Sequence, residues 1–491
     1  MKRNFAILIL AGIYLYSCKS EQSSDLVIQE KYRPQFHFTP KKNWINDPNG
    51  LVFYEGEYHL FYQYNPYATT WGHMSWGHAV SRDMINWEHL PIALEEYLDP
   101  TTGDSTMIFS GTAVVDNNNT SGLCEGKDCL IAIYTSNLHR DNQGLRQHQS
   151  LAYSNDKGRT WKRYDKNPIL DIQRKDFRDP KVFWYEPQQK WVMALVVPDL
   201  FTVQLYESKN LLKWDLMSEF GKVGDTLRIW ECPDLYELPI EGQPGKTQWV
   251  LSLSGGHPAG PTFVGMQYFV GDFDGKTFKT EQTTSLYLEH GKDYYAGIIF
   301  NNVTDRTVML GWINNWTYAN QIPTETWRGA FSIPRELKLT ETPEGLRLSQ
   351  HPIVEFNTLR EDEIGELNSL TTNSFELELE IPDGGGVHLF KSDTEQTTIG
   401  YQEGKLYLDR SKSGNVTFQK DFASVESIAI NSKQPVITVT IIVDQSIIEV
   451  ISNDGLYAIT DQVFPTSEKS TIELFGNSQV KKGWRLKSII P

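Results

Sequence analysis

The sequence predicts an all-β chain: a five-bladed β-propeller followed by a C-terminal β-sandwich. Three observations carry this. Nearly every strand-like run is short, rich in Val, Ile, Tyr, Phe and Trp, and bounded by Gly, Asn, Asp or Pro, while helical 3.6-residue periodicity is hard to find. A unit of polar tip, strand, turn and second strand recurs five times. After Leu339 a turn-rich stretch, LTETPEGLRLSQHP, gives way to polar alternating strands such as SFELELEI and PVITVTIIVDQSIIEV.

The five copies are, in order, NDPNGLVFYEGEYHLFYQY, SGTAVVDNNNTSGLCEGKDCLIAIYTS, RDPKVFWYEPQQKWVMALV, ECPDLYELPIEGQPGKTQWVLSLS and DYYAGIIFNNVTDRTVMLGWINN. Anchored on Asp47, Gly111, Asp179, Glu231 and Asp293, they are spaced by 64, 68, 52 and 62 residues. After each copy but the last comes a strand and a Ser/Asp-type turn closing on an aromatic: HAVSRDMINW, LAYSNDKGRTW, QLYESKNLLKW and QYFVGDFDGKTF, read as outer hairpins. Four strands repeated five times is what such a propeller requires, because radial repetition buries each sheet face against the next blade and leaves few open edges. A sandwich could use as many hairpins but would not explain a period near 60. The propeller is expected over 32–339, a linker over 340–351 and the sandwich over 352–491. The tips preceding the first strands then share one end of a funnel, which brings residues 47, 179, 231 and 293 together.

Bulk properties narrow the chemistry. With 491 residues, two domains are expected. A formal charge of −16 argues against nucleic acid or anionic lipid as the main partner and favours a neutral substrate. The N-terminus places Lys2 and Arg3 before an apolar run from Phe5 to Tyr16, too short to span a bilayer, which reads as an export signal over 1–17. Cys18 directly after Ser17 resembles a bacterial lipobox; lipidation there would anchor the chain in the cell envelope, with ordinary cleavage nearby as the alternative. Residues 18–31 then form a tether. Cys124 and Cys129 are close enough for a loop disulfide, with two free thiols as the other reading. No metal site is expected: two Cys without a neighbouring His are too few ligands, and His73 and His78 read as hydrogen-bonding groups.

Three tips put an acid beside proline: Asp47-Pro48, Asp179-Pro180, and Glu231 one residue ahead of Cys232-Pro233. Proline restrains the residue before it, so these carboxylates are aimed at little entropic cost. One acidic turn is most simply a hairpin cap. Three at matching repeat positions point instead to a shared site, where like-charge repulsion and desolvation drive carboxylate pKa values apart. One acid can then serve as nucleophile and another as proton donor, as in retaining glycoside hydrolysis, where the pair stands about 5 Å apart.

WINDPNG, FSGTAV, FRDPKVF, WECPDL and GWINNW with WRGAFSIPREL resemble the motifs of glycoside hydrolase family 32, the β-fructofuranosidases, from about Phe36 to Leu339. The resemblance implies the same two-domain fold and assigns Asp47 as nucleophile, Glu231 as acid/base and Asp179 as the group holding fructose hydroxyls, with Arg178 orienting the carboxylates. It places Trp44, Asn46, Gln63, Trp71, Phe109, Ser110, Asp293 and Trp316 in the wall of the fructose pocket, although the Trp residues could equally be core aromatics. Glu289, where the family more usually shows Asp, and Thr112, where Ser is common, depart from the pattern without touching the three acids. In the second domain Gln445 and Ile447 depart likewise, and its expected role is to pack on the propeller, with fructan binding as the alternative.

The expectation is an exported, lipid-anchored hydrolase that removes terminal β-D-fructofuranosyl residues from levan, inulin or sucrose, with retention and no cofactor. Endo action, fructosyl transfer and non-catalytic fructan capture are the alternatives. A sialidase-like propeller would want an arginine cluster and a tyrosine nucleophile, which these tips do not supply.

Overall fold

The computed structural model describes residues 30–490 apart from 141–142, 368–369, 371, 431–433 and 468–470. The expected export signal over 1–17, Cys18 and the tether as far as residue 29 lie outside the described residues.

Five largely antiparallel sheets follow one another from residue 43 to 352. Their first strands, Asn43–Tyr54, Ser105–Val115, Arg178–Tyr185, Glu231–Pro239 and Tyr295–Ile299, touch one another in a closed cycle and surround the axis. These are the five blades. Strands inside a blade are covered on both faces by neighbouring blades, so they read as continuous apolar runs. Lys190–Val197, KWVMALVV, is buried at every position. Blade two meets blade three through Val114, Ile131, Ile133, Met193 and Leu195. Blade three meets blade four through Val192, Ala194, Leu235, Leu251 and Phe269. The ring is stapled where Trp327–Arg328 pairs in parallel with Asn43 and Trp44. Cys124 and Cys129 form a disulfide in the blade-two loop.

The expected linker is corrected. Residues Arg335–Thr342 and Gly345–Pro352 pair as a hairpin and form the outer strands of blade five, so the propeller extends to residue 352. Both strands are only partly buried, so LTETPEGLRLSQHP, with its central turn, resembles a connector when read without the strand pairing. The sandwich follows as a six-stranded sheet running from Arg360–Glu363 to Ala458–Gln462 and a five-stranded sheet running from Val425–Ala429 to Glu473–Phe475. Phe375, Leu377, Ile399, Leu406, Val439 and Ile441 fill the space between the sheets.

Buried ion pairs join the two domains. Arg335 of blade five bonds Glu289 and the sandwich's Glu449. His37, in the segment leading into blade one, lies 2.8 Å from both Asp444 Oδ2 and Glu449 Oε1. Burial opposes its charge, but the two carboxylates outweigh that and push its pKa up to about 9. A group raised in the folded state stabilises fully below its unfolded pKa and loses that contribution as pH rises through the folded value. Wild type should therefore lose up to about 3 kcal/mol between roughly pH 6.5 and pH 9, the energy of a shift of that size. Urea midpoints across that window test this: the decline should flatten in His37→Asn, and an equal slope in both proteins would remove His37 as its cause.

Candidate active site

All five first strands carry a bulge just inside the same end of the propeller. The register slips between Ile45 and Pro48, Ile108 and Gly111, Arg178 and Lys181, Glu231 and Asp234, and Tyr295 and Ile298. Each bulge adds one residue, turns the strand and re-aims its side chains toward the axis. In blades three to five the residue after the first register position is left-handed: Asp179 at φ 63°, Cys232 at φ 46° and Ala296 at φ 54°. That conformation costs a non-glycine residue on the order of 1 kcal/mol or more.

Aligning the bulges corrects the notion that the three acids hold matching positions. Glu231 occupies the first slot, shared with Arg178 and Tyr295; Asp179 occupies the second, shared with Asn46 and Cys232; Asp47 occupies the third, shared with Ser110. The three carboxylates are thus staggered along the strand rather than equivalent.

They line one cavity of about 620 Å³ together with Asn46, Gln63, Trp71, Phe109, Ser110, Gln147, Asp176, Arg178, Leu227, Arg228, Ile229, Val264, Tyr295 and Trp316. Asp47 accepts hydrogen bonds from Ser110 Oγ at 2.6 Å, Asn46 Nδ2 at 3.1 Å and the Cys232 thiol at 3.5 Å. The Cys232 backbone N–H donates to Asp179 Oδ2 at 3.0 Å, and its thiol lies 3.8 Å from the same oxygen. Arg178 stands 3.9 Å from Asp179 and 3.1 Å from Glu231. Tyr295 Oη donates to Glu231 Oε2 at 2.6 Å. One residue therefore bridges Asp47 to Asp179, and another bridges Asp179 to Glu231.

Burial and charge crowding shift Asp47 and Asp179. Burial and then the Glu231 carboxylate raise Asp47, against the bonds from Ser110, Asn46 and Cys232. Burial also raises Asp179, with Arg178 opposing and the other two acids adding to the shift. Arg178, held by three carboxylates, stays charged despite its burial.

Of the residues expected in the wall, Asn46, Gln63, Trp71, Phe109, Ser110, Arg178 and Trp316 line the cavity. Gln63 is oriented by its bond to the Ile108 carbonyl at 3.0 Å, and Trp71 meets Phe109 edge to face. Two expected wall residues do not reach it. Trp44 is fully buried behind the wall, packed on Trp312 and Trp316, where its Nε1 donates to Asn46 Oδ1 at 2.8 Å and so orients the amide that bonds Asp47. Asp293 is also fully buried, at the join of the two domains: it accepts from the sandwich's Arg410 at 2.5 Å and Gln462 N at 2.8 Å and from the propeller's own Tyr318 Oη at 2.7 Å. Asp293 lies two residues ahead of the blade-five bulge, so Tyr295 takes the axial slot in its place. Reading the sequence missed Tyr295, Gln147, Asp176, Val264 and the Leu227-Arg228-Ile229 stretch. Only Tyr295 left a signal, since DYYAG aligned on the bulge rather than on the acid puts it level with Glu231.

Comparison with known proteins agrees with this architecture. The model described as Glycosyl hydrolases family 32 N-terminal domain matches residues 37–352, and that described as Glycosyl hydrolases family 32 C terminal matches residues 342–489. A levanase of Bacillus subtilis is 45% identical over 514 residues, covering 98% of this chain and 74% of the levanase. An extracellular exo-inulinase of Aspergillus niger is 38% identical over 493 residues, covering 89% of this chain and 90% of that protein. The crystal structure of an exo-inulinase from Aspergillus awamori superposes with a TM-score of 0.86 at 35% identity, over 94% of this chain and 99% of the other. With the five-bladed ring, the sandwich behind it and the three carboxylates at its mouth, this chain belongs to glycosyl hydrolase family 32.

Proposed function

We propose that this protein is an exo-acting, retaining β-fructofuranosidase that releases fructose from the non-reducing ends of levan or inulin and from sucrose. The observation that carries the reading is the chain of contacts from Asp47 through Cys232 to Asp179, and from Asp179 through Arg178 to Glu231, inside one cavity. Such a cluster divides labour. Asp47, fixed by three donors, attacks the anomeric carbon of the fructosyl unit while Glu231 gives a proton to the departing oxygen. Glu231 then takes a proton from the water that cleaves the fructosyl ester, returning Asp47 as a carboxylate. Asp179, held by the Cys232 N–H, accepts hydrogen bonds from sugar hydroxyls, and Arg178 keeps Asp179 and Glu231 apart in charge and position. Tyr295 fixes the second oxygen of Glu231.

Exo action is supported by the names of the inulinase relatives. Export is supported by the extracellular inulinase relative and by the basic-then-apolar N-terminus; anchoring through Cys18 rests on the Ser17-Cys18 sequence. A time course of products from levan and inulin tests the reading. Fructose alone is expected from the first time point, and early oligosaccharides would replace exo with endo action.

A further inference from the structure

A second cavity, of about 350 Å³, lies where blades two and three meet Asn301 and Asn302 of blade five, at the end of the propeller opposite the acids. Its walls are the far ends of the first strands: Val114 and Val115 from blade two, Phe183 and Trp184 from blade three. Six residues of extended chain separate Arg178 from Trp184, or about 20 Å, so the two cavities are distinct.

One wall is rigid. The loop from Asp116 to Cys129 is closed by the Cys124–Cys129 disulfide. Asp116 accepts from Thr120 N at 2.8 Å, Thr120 Oγ1 at 2.9 Å and Ser121 N at 2.8 Å. Asn119 ties both its oxygen and its nitrogen to Cys124, and Trp191 Nε1 donates to Thr120 Oγ1 at 2.9 Å. Among the described residues, the exposed Asn117 and Asn118 are the members of this turn whose side chains make no bond within the protein. Trp184 lines the same cavity, half-buried, its ring edge-to-face with Trp191 at 5.1 Å and its Nε1 bonded to Glu186 Oε2 at 2.6 Å. The tryptophan is therefore held in place with its polar atom already used, leaving the ring itself as what it offers.

We infer that this groove is a non-catalytic binding site for a neutral saccharide, in which a sugar ring lies on Trp184 and its hydroxyls bond the Asn117 and Asn118 amides. Aromatic faces with nearby uncommitted amides suit a ring that carries C–H bonds and hydroxyls together. The acidic groups here, Asp116 and Glu186, have their oxygens taken by protein donors, and a chain of net charge −16 does not attract anions. Resting on the catalytic reading above, the saccharide is a segment of polymeric fructan, gripped at a distance from the end being cleaved. A tethered polymer raises the local concentration of its chain ends at the funnel.

Affinity electrophoresis in gels containing levan or inulin tests the groove in an Asp47→Asn background, which separates polymer holding from turnover. Retention is expected in Asp47→Asn, with the apparent dissociation constant rising about fivefold or more, roughly 1 kcal/mol, when Trp184→Ala is added. The exposed pair Asn117→Ala/Asn118→Ala should weaken retention in the same direction and guards against a folding effect of the tryptophan change. With Asp47 intact, Trp184→Ala should raise KM for polymer and leave kinetics on sucrose unchanged. Equal retention with and without these changes, or no retention by any variant, overturns the groove while leaving the catalytic reading intact. Failure of the wild type to release fructose would instead strike the catalytic reading alone.

Discussion

Asp47→Ala is expected to yield a folded protein whose turnover of levan, inulin and sucrose has fallen by roughly four orders of magnitude or more. The loss is large because a covalent nucleophile acts only in the transition state, and no neighbouring group can replace it. Ser110, Asn46 and Cys232 all point donors at Asp47, so without it they face an empty site with nothing to attack the sugar. The fold should survive. Burial and the proximity of Glu231 make the Asp47 charge costly to the folded state, so its removal relieves repulsion while giving up three hydrogen bonds. Steady-state fructose release alongside thermal unfolding checks both halves. Near-normal release from a folded variant would refute the assignment, and a variant that fails to fold would refute the view that this charge serves chemistry at the expense of stability.

Glu231→Ala should cost roughly three orders of magnitude on sucrose and fructans, whose leaving oxygens need a proton. On a nitrophenyl β-D-fructofuranoside the first step should suffer far less, because nitrophenolate departs without protonation; the second step should stay slow, because water has lost its base. A burst of nitrophenolate followed by slow turnover is the expected trace. The bonds from Arg178 and Tyr295 define where the missing carboxylate stood, and azide, small enough for that space and needing no base, should restore turnover. Equal losses in the first step, read as kcat/KM, on natural and activated substrates would place Glu231 in sugar binding rather than in proton transfer.

The extent to which this molecule could be read from its sequence follows the range of the forces involved. The five blades were legible because each strand's burial is written locally, in runs such as KWVMALVV and in turn residues at the tips. The outer hairpin of blade five was not, since its strands Arg335–Thr342 and Gly345–Pro352 are only partly buried and meet at turn residues that read as a linker. The acids were legible as a group because proline and the surrounding motif mark them. Their stagger was not, because a bulge is a relation between two strands and leaves no fixed trace in one. Asp293 was misplaced for the same kind of reason: its partner Arg410 lies 117 residues away in the second domain, and nothing in DYYAG announces it. Trp44 shows the limit for aromatics, where a sequence position beside the site does not tell a wall residue from the one that steadies it.

The most direct test combines the two roles. Glu231→Ala, incubated with nitrophenyl β-D-fructofuranoside, quenched in acid and digested, should yield one peptide heavier by a single anhydrofructosyl unit, with fragmentation placing the added mass on Asp47. A label on Asp179 or elsewhere, or a burst that leaves no labelled peptide, would contradict the account.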